Sequence, residues 1–150
     1  IITARTGGNP GAEESITFVL PLQQPEVSLV LNPGNWVFSI HGANASVDCR
    51  AYVTDGHHTL INGAKVWYTT QRGALKPCPS PQSCSIRAWA ITGPTGDPIG
   101  GDGQTSLWLR GVVGDFFIDD VSVETTCEVS VQIEGFPGAT DAGLVNFRRP

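Results

Sequence analysis

An alternating apolar segment near the N-terminus constrains this chain more than any other feature of its sequence. In residues 15–22 every second position is apolar, namely Ile16, Phe18, Leu20 and Leu22. Because side chains alternate between the two faces of a strand, these four share one face of an extended segment. Pro21 and Pro25 close the segment, since proline cannot donate to a central ladder. The pattern predicts an N-terminal arm over residues 1–24, with a candidate donor strand at 15–22.

The arm has two possible partners for its apolar face. It can be the first strand of its own domain, or it can add to the sheet of a neighbouring copy. Burial of the four side chains would contribute about 6–12 kcal/mol before ordering costs, at about 1.5–3 kcal/mol each. The glycine- and proline-containing residues 7–11 would supply the flexibility to cross between subunits.

Composition and charge bound the classes of function. The 150 residues fit one domain beyond the arm, residues 25–150, and 40% of them are apolar. The net charge is −5, and nine basic residues form no run, so we expect no nucleic-acid partner. No apolar stretch approaches the roughly 20 residues of a membrane helix, so we expect no membrane span.

The absence of methionine and the presence of four cysteines indicate export. A chain without Met suggests that Ile1 is a mature end left by removal of a leader, or a trimmed end. Four cysteines are typical of an oxidising compartment. We therefore expect an extracellular or cell-surface protein.

Short apolar runs recur between turn residues along the rest of the chain. Strands are predicted at residues 26–31, 35–40, 46–54, 64–70, 84–91 and 105–110. A run of odd-numbered apolar residues from 117 to 133 is read as two strands joined near 124–126. No window favours a helix, because Gly or Pro interrupts most of them. The sequence predicts an all-β, Ig-like antiparallel β-sandwich with an extended N-terminal arm.

Three segments resemble a known family. Residues 51–56 (AYVTDG), 60–67 (LINGAKVW) and 102–109 (DGQTSLWL) are similar to the bacterial immunoglobulin-like repeats of invasin and intimin type. The resemblance covers roughly residues 45 to 125. It implies a structural or adhesive role at a cell surface, without catalysis. The N-terminal arm in turn resembles the donor strands of donor-strand-assembled filament subunits.

The cysteines are expected to form two disulfides. Cys49 and Cys127 have inward parity, and an Ig-like topology brings their strands together across or beside the core. Cys78 and Cys84 enclose five residues, so a local bridge would pin that loop. A zinc site is the alternative, but Cys₄ zinc sites usually contain closely spaced Cys pairs that this chain lacks.

An exposed binding face is predicted from outward parity. If residues 46–54, 84–91 and 105–110 share one sheet, one face carries three arginines and three aromatic residues, Arg50, Tyr52, Arg87, Trp89, Trp108 and Arg110. Such residues are enriched at protein interfaces, and the aromatic rings can also stack on sugars. A face covered by the arm or by a long loop is the alternative.

Other candidate sites are weaker. Asp97 and Asp102 lie in a glycine-rich loop and are candidate Ca²⁺ ligands, although turn formation explains them too. Asn44 begins a glycosylation sequon. No catalytic motif is recognisable, so no catalytic residue, cofactor or metal is expected.

The sequence therefore predicts a non-enzymatic extracellular structural subunit. It would assemble with copies of itself by strand addition into a filament, a pilus-like fibre or a surface array. A secreted carbohydrate-binding or adhesive β-sandwich module, with polysaccharide as partner, is the second hypothesis. A small secreted enzyme is a third.

Overall fold

The computed structural model of the chain describes residues 2–5, 15–18, 24–77 and 85–150. Within these residues the elements in chain order are β1 (Ile2–Arg5), β2 (Ser15–Phe18), β3 (Glu26–Asn32), β4 (Asn35–Val37), β5 (Ala45–Thr54), β6 (Lys65–Thr70), β7 (Ala74–Lys76), β8 (Arg87–Ile91), β9 (Gln104–Gly111), α1 (Val113–Phe116), β10 (Glu124–Ile133) and β11 (Thr140–Arg148). The predicted all-β class is confirmed.

Two sheets form a sandwich. The four-stranded sheet has the order β3-β5-β9-β7, and the five-stranded sheet has the order β4-β11-β10-β6-β8. The four-stranded order matches the ABED sheet of an immunoglobulin-like sandwich, and the strands β11-β10-β6 of the five-stranded sheet match its GFC sheet. Two details differ from the predicted antiparallel arrangement. Strand β4 runs parallel to β11, and β7 joins the four-stranded sheet before the chain returns as β8.

The core is built by strict alternation along the long strands. In β5 the side chains of Val47, Cys49, Ala51 and Val53 are fully buried, while their neighbours face outward. In β10 the buried side chains are Cys127, Val129, Val131 and Ile133. The predicted inward parity of both strands is confirmed, because a face packed on a core requires an apolar residue at every second position.

Three buried phenylalanines fill one end of the core. The rings of Phe116 and Phe147 stack with centroids 4.0 Å apart, and Phe38 lies 5.9 Å from Phe147. The single helical turn α1 places Phe116 there, and Val112 N–H donates to Asp115 Oδ2 at 2.8 Å to begin it. This turn was not predicted, because four residues are too few to show a helical period.

The prediction between residues 117 and 133 is wrong in part. Strand β10 runs without interruption from Glu124, so no turn lies at 124–126. Residues 117–123 form no strand, and Val121 and Val123 are exposed despite their odd positions. Strand β4 likewise ends at Val37, which leaves Ile40 exposed.

The N-terminal arm contains a hairpin of its own. Strands β1 and β2 pair antiparallel, with Ile2 opposite Phe18 and Ala4 opposite Ile16. They form a two-stranded sheet that belongs to neither sheet of the sandwich. The predicted segment 15–22 is thus a strand only over Ser15–Phe18 in the described residues, while Leu20 and Leu22 lie outside them.

Candidate binding surfaces

The outer face of the four-stranded sheet carries four of the six predicted face residues. Arg50 and Tyr52 face outward from β5, and Trp108 and Arg110 face outward from the adjacent β9. In this register Trp108 lies opposite Asp48, and Arg110 lies opposite Ser46. Trp108 remains 39% exposed, so its indole is available to a partner.

Asp48 organises the centre of this face. Its carboxylate accepts hydrogen bonds from the Ser106 hydroxyl and, at 3.1 Å, from Arg50 Nη2. The nearby Asp48 charge raises the pKa of the Arg50 guanidinium above its ordinary value. This ion pair orients the partly exposed Arg50 side chain across the sheet.

Two shallow grooves share Arg50 as a lining residue. One has a volume of about 170 Å³ and is lined by Val30, Asn32 and Tyr52 together with Asp48 and Arg50. The other has a volume of about 230 Å³ and is lined by Arg50, Gln104, Ser106 and the loop residues 99–101. The face therefore offers an aromatic platform beside polar grooves, an arrangement suited to a hydroxyl-rich ligand.

Arg87 and Trp89 do not belong to this face, which corrects the prediction of one shared sheet. Strand β8 pairs with β6 at the edge of the five-stranded sheet. The two residues therefore face outward on the opposite side of the sandwich. Strand spacing along a sequence fixes the face of each residue within its strand but not the sheet to which the strand belongs.

A second aromatic cluster surrounds these two residues. Trp67 of β6 lies directly opposite Trp89, and Arg87 Cζ lies 4.1 Å from the Trp67 ring centroid. Lys65 Nζ lies 4.5 Å from the Trp89 centroid and 5.4 Å from that of Trp67. Glu134 holds the cluster at one side, because it accepts from Trp67 Nε1 at 3.4 Å and pairs with Lys65 at 3.6 Å.

Lys65 and Trp67 were missed by sequence reasoning. The signal was present, because both have outward parity on the strand predicted at residues 64–70. Their pairing with β8 could not be read from the sequence. Since cations already lie over the rings, this cluster is less open to stacking than Trp108.

The predicted disulfide between Cys49 and Cys127 is absent. Both residues are buried free thiols. Cys127 Sγ lies 3.2 Å from Thr70 Oγ1, and Cys49 Sγ lies 3.6 Å from Val47 O, so each thiol contacts a polar atom of its own sheet. Burial raises the pKa of Cys49 to about 12. Cys78 and Cys84 lie outside the described residues. With Cys49 and Cys127 reduced, only this second pair is left to support the expectation of an oxidising compartment.

The calcium candidates are turn residues. Asp102 Oδ1 accepts from Asn62 Nδ2 at 3.2 Å, and Gly103 N–H donates to Asn62 Oδ1 at 2.7 Å. The Asp97 carbonyl accepts from Ile91 N–H at 3.0 Å. Across residues 24–77 and 85–150, no group of three or more His, Cys, Asp or Glu side chains could hold a metal ion.

The sequon residue Asn44 is exposed just before β5 begins. An exposed position beside a strand end is accessible to modification.

A cleft of about 520 Å³ opens at the end of the sandwich where β10 finishes. Its apolar walls include Pro25, Ile61, Ile133 and Phe136, and the Lys65–Glu134 pair stands at its polar side. No sequence pattern predicted it, because its walls come from three separate segments of the chain.

Comparison with known proteins finds no family model and no curated protein that matches this chain. In the part of the chain that the structure describes, no helix has the length and apolar character needed to cross a bilayer. The candidate functions therefore depend on the surfaces described above.

Proposed function

We propose that this chain is a non-enzymatic, exported structural subunit that assembles with copies of itself through its N-terminal arm. The observation that carries the proposal is that the two described strands of the arm join neither sheet of the sandwich. Strands β1 and β2 pair only with each other in the sheet order, whereas the two sandwich sheets enclose a buried core without them.

A two-stranded hairpin is at best marginally stable in water by itself. It gains stability when a third strand adds to its edge or when a hydrophobic surface covers it. The alternating apolar residues of β2, Ile16 and Phe18, supply a face for that contact. The arm therefore benefits from pairing with another sheet, and a neighbouring copy can provide one.

The site of addition is an edge rather than a vacant groove. Strand β11 occupies the position beside β10, so the sandwich already has its final strand. Strand addition must therefore use an edge strand of the sandwich. The longer edges are β3, with seven residues, and β8, with five, whereas β4 and β7 have three residues each.

The arm is tested by a charge insertion in the full chain. Ile16→Asp with Phe18→Asp should shift the protein from large assemblies to monomers in sedimentation velocity, and filaments should disappear from electron micrographs. Leu144→Asp with Ile40→Asp is the matched control, because it adds the same two charges at exposed apolar residues of the sandwich. Equal assembly of the arm variant and the wild type would refute the arm's role.

A second candidate function is polysaccharide binding on the outer face of the four-stranded sheet. The exposed Trp108 beside the two grooves at Arg50 favours it. Trp108→Ala should reduce retardation in polysaccharide affinity gels at least tenfold, since truncation of an aromatic residue that anchors a ligand costs about 2 kcal/mol or more. Trp89→Ala is the control on the opposite face. Equal losses for both variants would contradict a single site on this face.

A further inference from the structure

Two exposed basic residues flank Trp108 on the outer face of the four-stranded sheet. Lys76 of β7 lies directly opposite Trp108 of β9 in the sheet register. Arg110 follows two residues later on the same face of β9, so about 7 Å of extended chain separates it from Trp108. Both basic residues are exposed. The indole therefore has one base beside it on the next strand and a second base along its own strand.

A third base, Arg50, belongs to an ion pair that shows its cation to solvent and covers its anion. The side chain of Arg50 is 43% exposed, whereas that of its partner Asp48 is 14% exposed. The Asp48 carboxylate also accepts a hydrogen bond from the Ser106 hydroxyl. Asp48 lies opposite Trp108 in the register, so the acid next to the indole is already covered and paired.

The other nearby acids leave these bases without an ion pair. Glu26 lies at the far end of β3 from Asn32, the residue opposite Asp48, and six residues of strand separate the two by about 20 Å. Asp115, in the turn after β9, accepts from Val112 N–H at 2.8 Å. Among the residues that the structure describes, no acid forms an ion pair with Lys76 or Arg110.

The basic residues of the opposite sheet are engaged in a different way. Lys65 pairs with Glu134 and Arg148 pairs with Glu124, while Arg87 lies over the Trp67 ring. The chain as a whole carries a net charge of −5. The bases around Trp108 therefore form a local positive patch on an acidic protein, and such a patch attracts anions to one face only.

An aromatic ring between two bases selects a ligand with two kinds of surface. The face of an indole is the negative end of its quadrupole, so it accepts C–H groups and not an anion. The anion must instead meet the bases beside the ring, where a guanidinium can bind a carboxylate through two N–H groups. A uronic acid meets both conditions, because the C–H face of its ring can cover Trp108 while its carboxylate projects from the ring edge.

The two grooves beside Trp108 supply partners for sugar hydroxyls. Asn32 lines one groove and Gln104 lines the other. An amide side chain both donates and accepts hydrogen bonds, as a hydroxyl does, whereas a phosphate diester only accepts them. The grooves therefore favour a glycan over a nucleic acid as the anionic ligand.

We propose that this face binds an acidic polysaccharide, with Trp108 stacked on a sugar ring and Lys76 and Arg110 bound to carboxylates of the polymer. The inference rests on polysaccharide binding, the second candidate function, and names the class of ligand. It is independent of assembly through the arm. The charge complementarity of the exposed bases is the observation that selects an anionic polymer over a neutral one.

The test compares two polymers that differ only in charge. Polygalacturonate carries one carboxylate on each ring, and fully methyl-esterified galacturonan has the same rings without the charge. In isothermal titration calorimetry at low salt, the full chain should bind polygalacturonate about tenfold more tightly than the ester, through the combined effect of two exposed ion pairs. This difference should disappear in about 1 M NaCl, where the Debye length falls to about 3 Å.

Single substitutions separate the roles of ring and bases. Lys76→Gln and Arg110→Gln should each weaken polygalacturonate binding about two- to fivefold, the effect of one exposed ion pair, and leave binding of the ester unchanged. Trp108→Ala should weaken binding of both polymers at least about tenfold. Arg148→Gln is the control, because it removes the same charge from the opposite sheet and should change neither affinity. Far-UV circular dichroism verifies that the variants keep the wild-type fold.

The outcomes distinguish this inference from polysaccharide binding in general. If both polymers bind equally and Trp108→Ala weakens both, polysaccharide binding stands and the choice of an acidic ligand is wrong. If Arg148→Gln weakens polygalacturonate as much as Lys76→Gln does, net charge and not this face attracts the polymer, and the site is wrong. Equally tight binding of oligodeoxythymidylate would overturn the assignment to a glycan. If neither polymer binds, the inference and the second candidate function both fail.

Discussion

The backbone amide of Leu29 donates to Asp141 Oδ2 at 2.8 Å and so joins the two sheets at their open side. Leu29 lies in β3, the edge of the four-stranded sheet, and Asp141 lies in β11 of the five-stranded sheet. The Asp141 carboxylate thereby accepts a hydrogen bond from an amide of the edge strand, which would otherwise be free to bond a further strand. This contact also occupies part of the β3 edge that could receive a strand from another copy.

Removal of this carboxylate is expected to loosen β3. Asp141→Ala should lower the free energy of unfolding by about 1–3 kcal/mol, because the Leu29 amide loses a charge-assisted acceptor. Asp141→Asn should cost less, since its amide oxygen still accepts. Urea unfolding measures the free energies, and hydrogen exchange should show faster exchange at Leu29. Glu124→Ala, which removes an exposed ion pair with Arg148, is the control. Exchange at Leu29 that is unchanged in Asp141→Ala would contradict the role of this bond.

The two core cysteines are expected to stay reduced and unreactive in the native protein. In the Cys78→Ser, Cys84→Ser variant only the buried Cys49 and Cys127 remain. A disulfide-exchange reagent at pH 8 should label them about a hundredfold or more slowly before unfolding than after it, because attack requires an exposed thiolate. Burial raises the Cys49 pKa to about 12, so the unfolded chain ionises first and stability should fall as the pH rises above about 9. Fewer than two titratable thiols in denaturant would indicate a bridge.

Alternation made the long strands predictable from the sequence. In β5 every odd residue from Val47 to Val53 is apolar and buried, so both its existence and its faces followed from the period of two. In β11 the inward positions include Asp141 and Gly143, and the alternation is weak there. That strand was missed because two of its inward residues are not apolar side chains. Asp141 accepts a hydrogen bond from the Leu29 amide, and Gly143 leaves space for the Leu31 side chain.

The candidate faces show the limit of such reasoning. Parity correctly placed Arg50 and Trp108 outward, but parity carries no information on which strands are neighbours. Trp89 therefore belongs to a different face from the predicted one. The cleft was not predictable, because contacts between distant segments of the chain create it.

A buried hydroxyl pair links the two sheets across the core. Tyr68 Oη and Thr105 Oγ1 share a hydrogen bond, and both side chains are buried. Tyr68→Phe should lower the free energy of unfolding by about 1–3 kcal/mol, because it leaves the Thr105 hydroxyl without its partner. The double variant Tyr68→Phe with Thr105→Val should be more stable than the sum of the single losses predicts, since no unpaired hydroxyl remains. Strict additivity in urea unfolding would show that the two groups do not interact.

The loop at residues 117–123, in which the Asp119 carboxylate accepts bonds from Val121 and Ser122, is expected to open in acid. Hydrogen bonds from Ser122, first through its hydroxyl and then through its backbone, lower the pKa of Asp119, and the nearby Arg149 charge adds to the effect. A lowered carboxyl pKa means that the loop is stabilised above the ordinary aspartate value of about 3.9 and loses that contribution as the pH falls through the lower folded value. The amide resonances of Val121 and Ser122 should therefore shift together in an NMR titration, with a midpoint below that of a model aspartate. Ser122→Ala should move this midpoint upward, because it removes the first of these bonds. If the midpoint in Ser122→Ala equals that of the wild type, the hydroxyl does not set the Asp119 pKa, and the backbone N–H groups of Val121 and Ser122 together with Arg149 account for it.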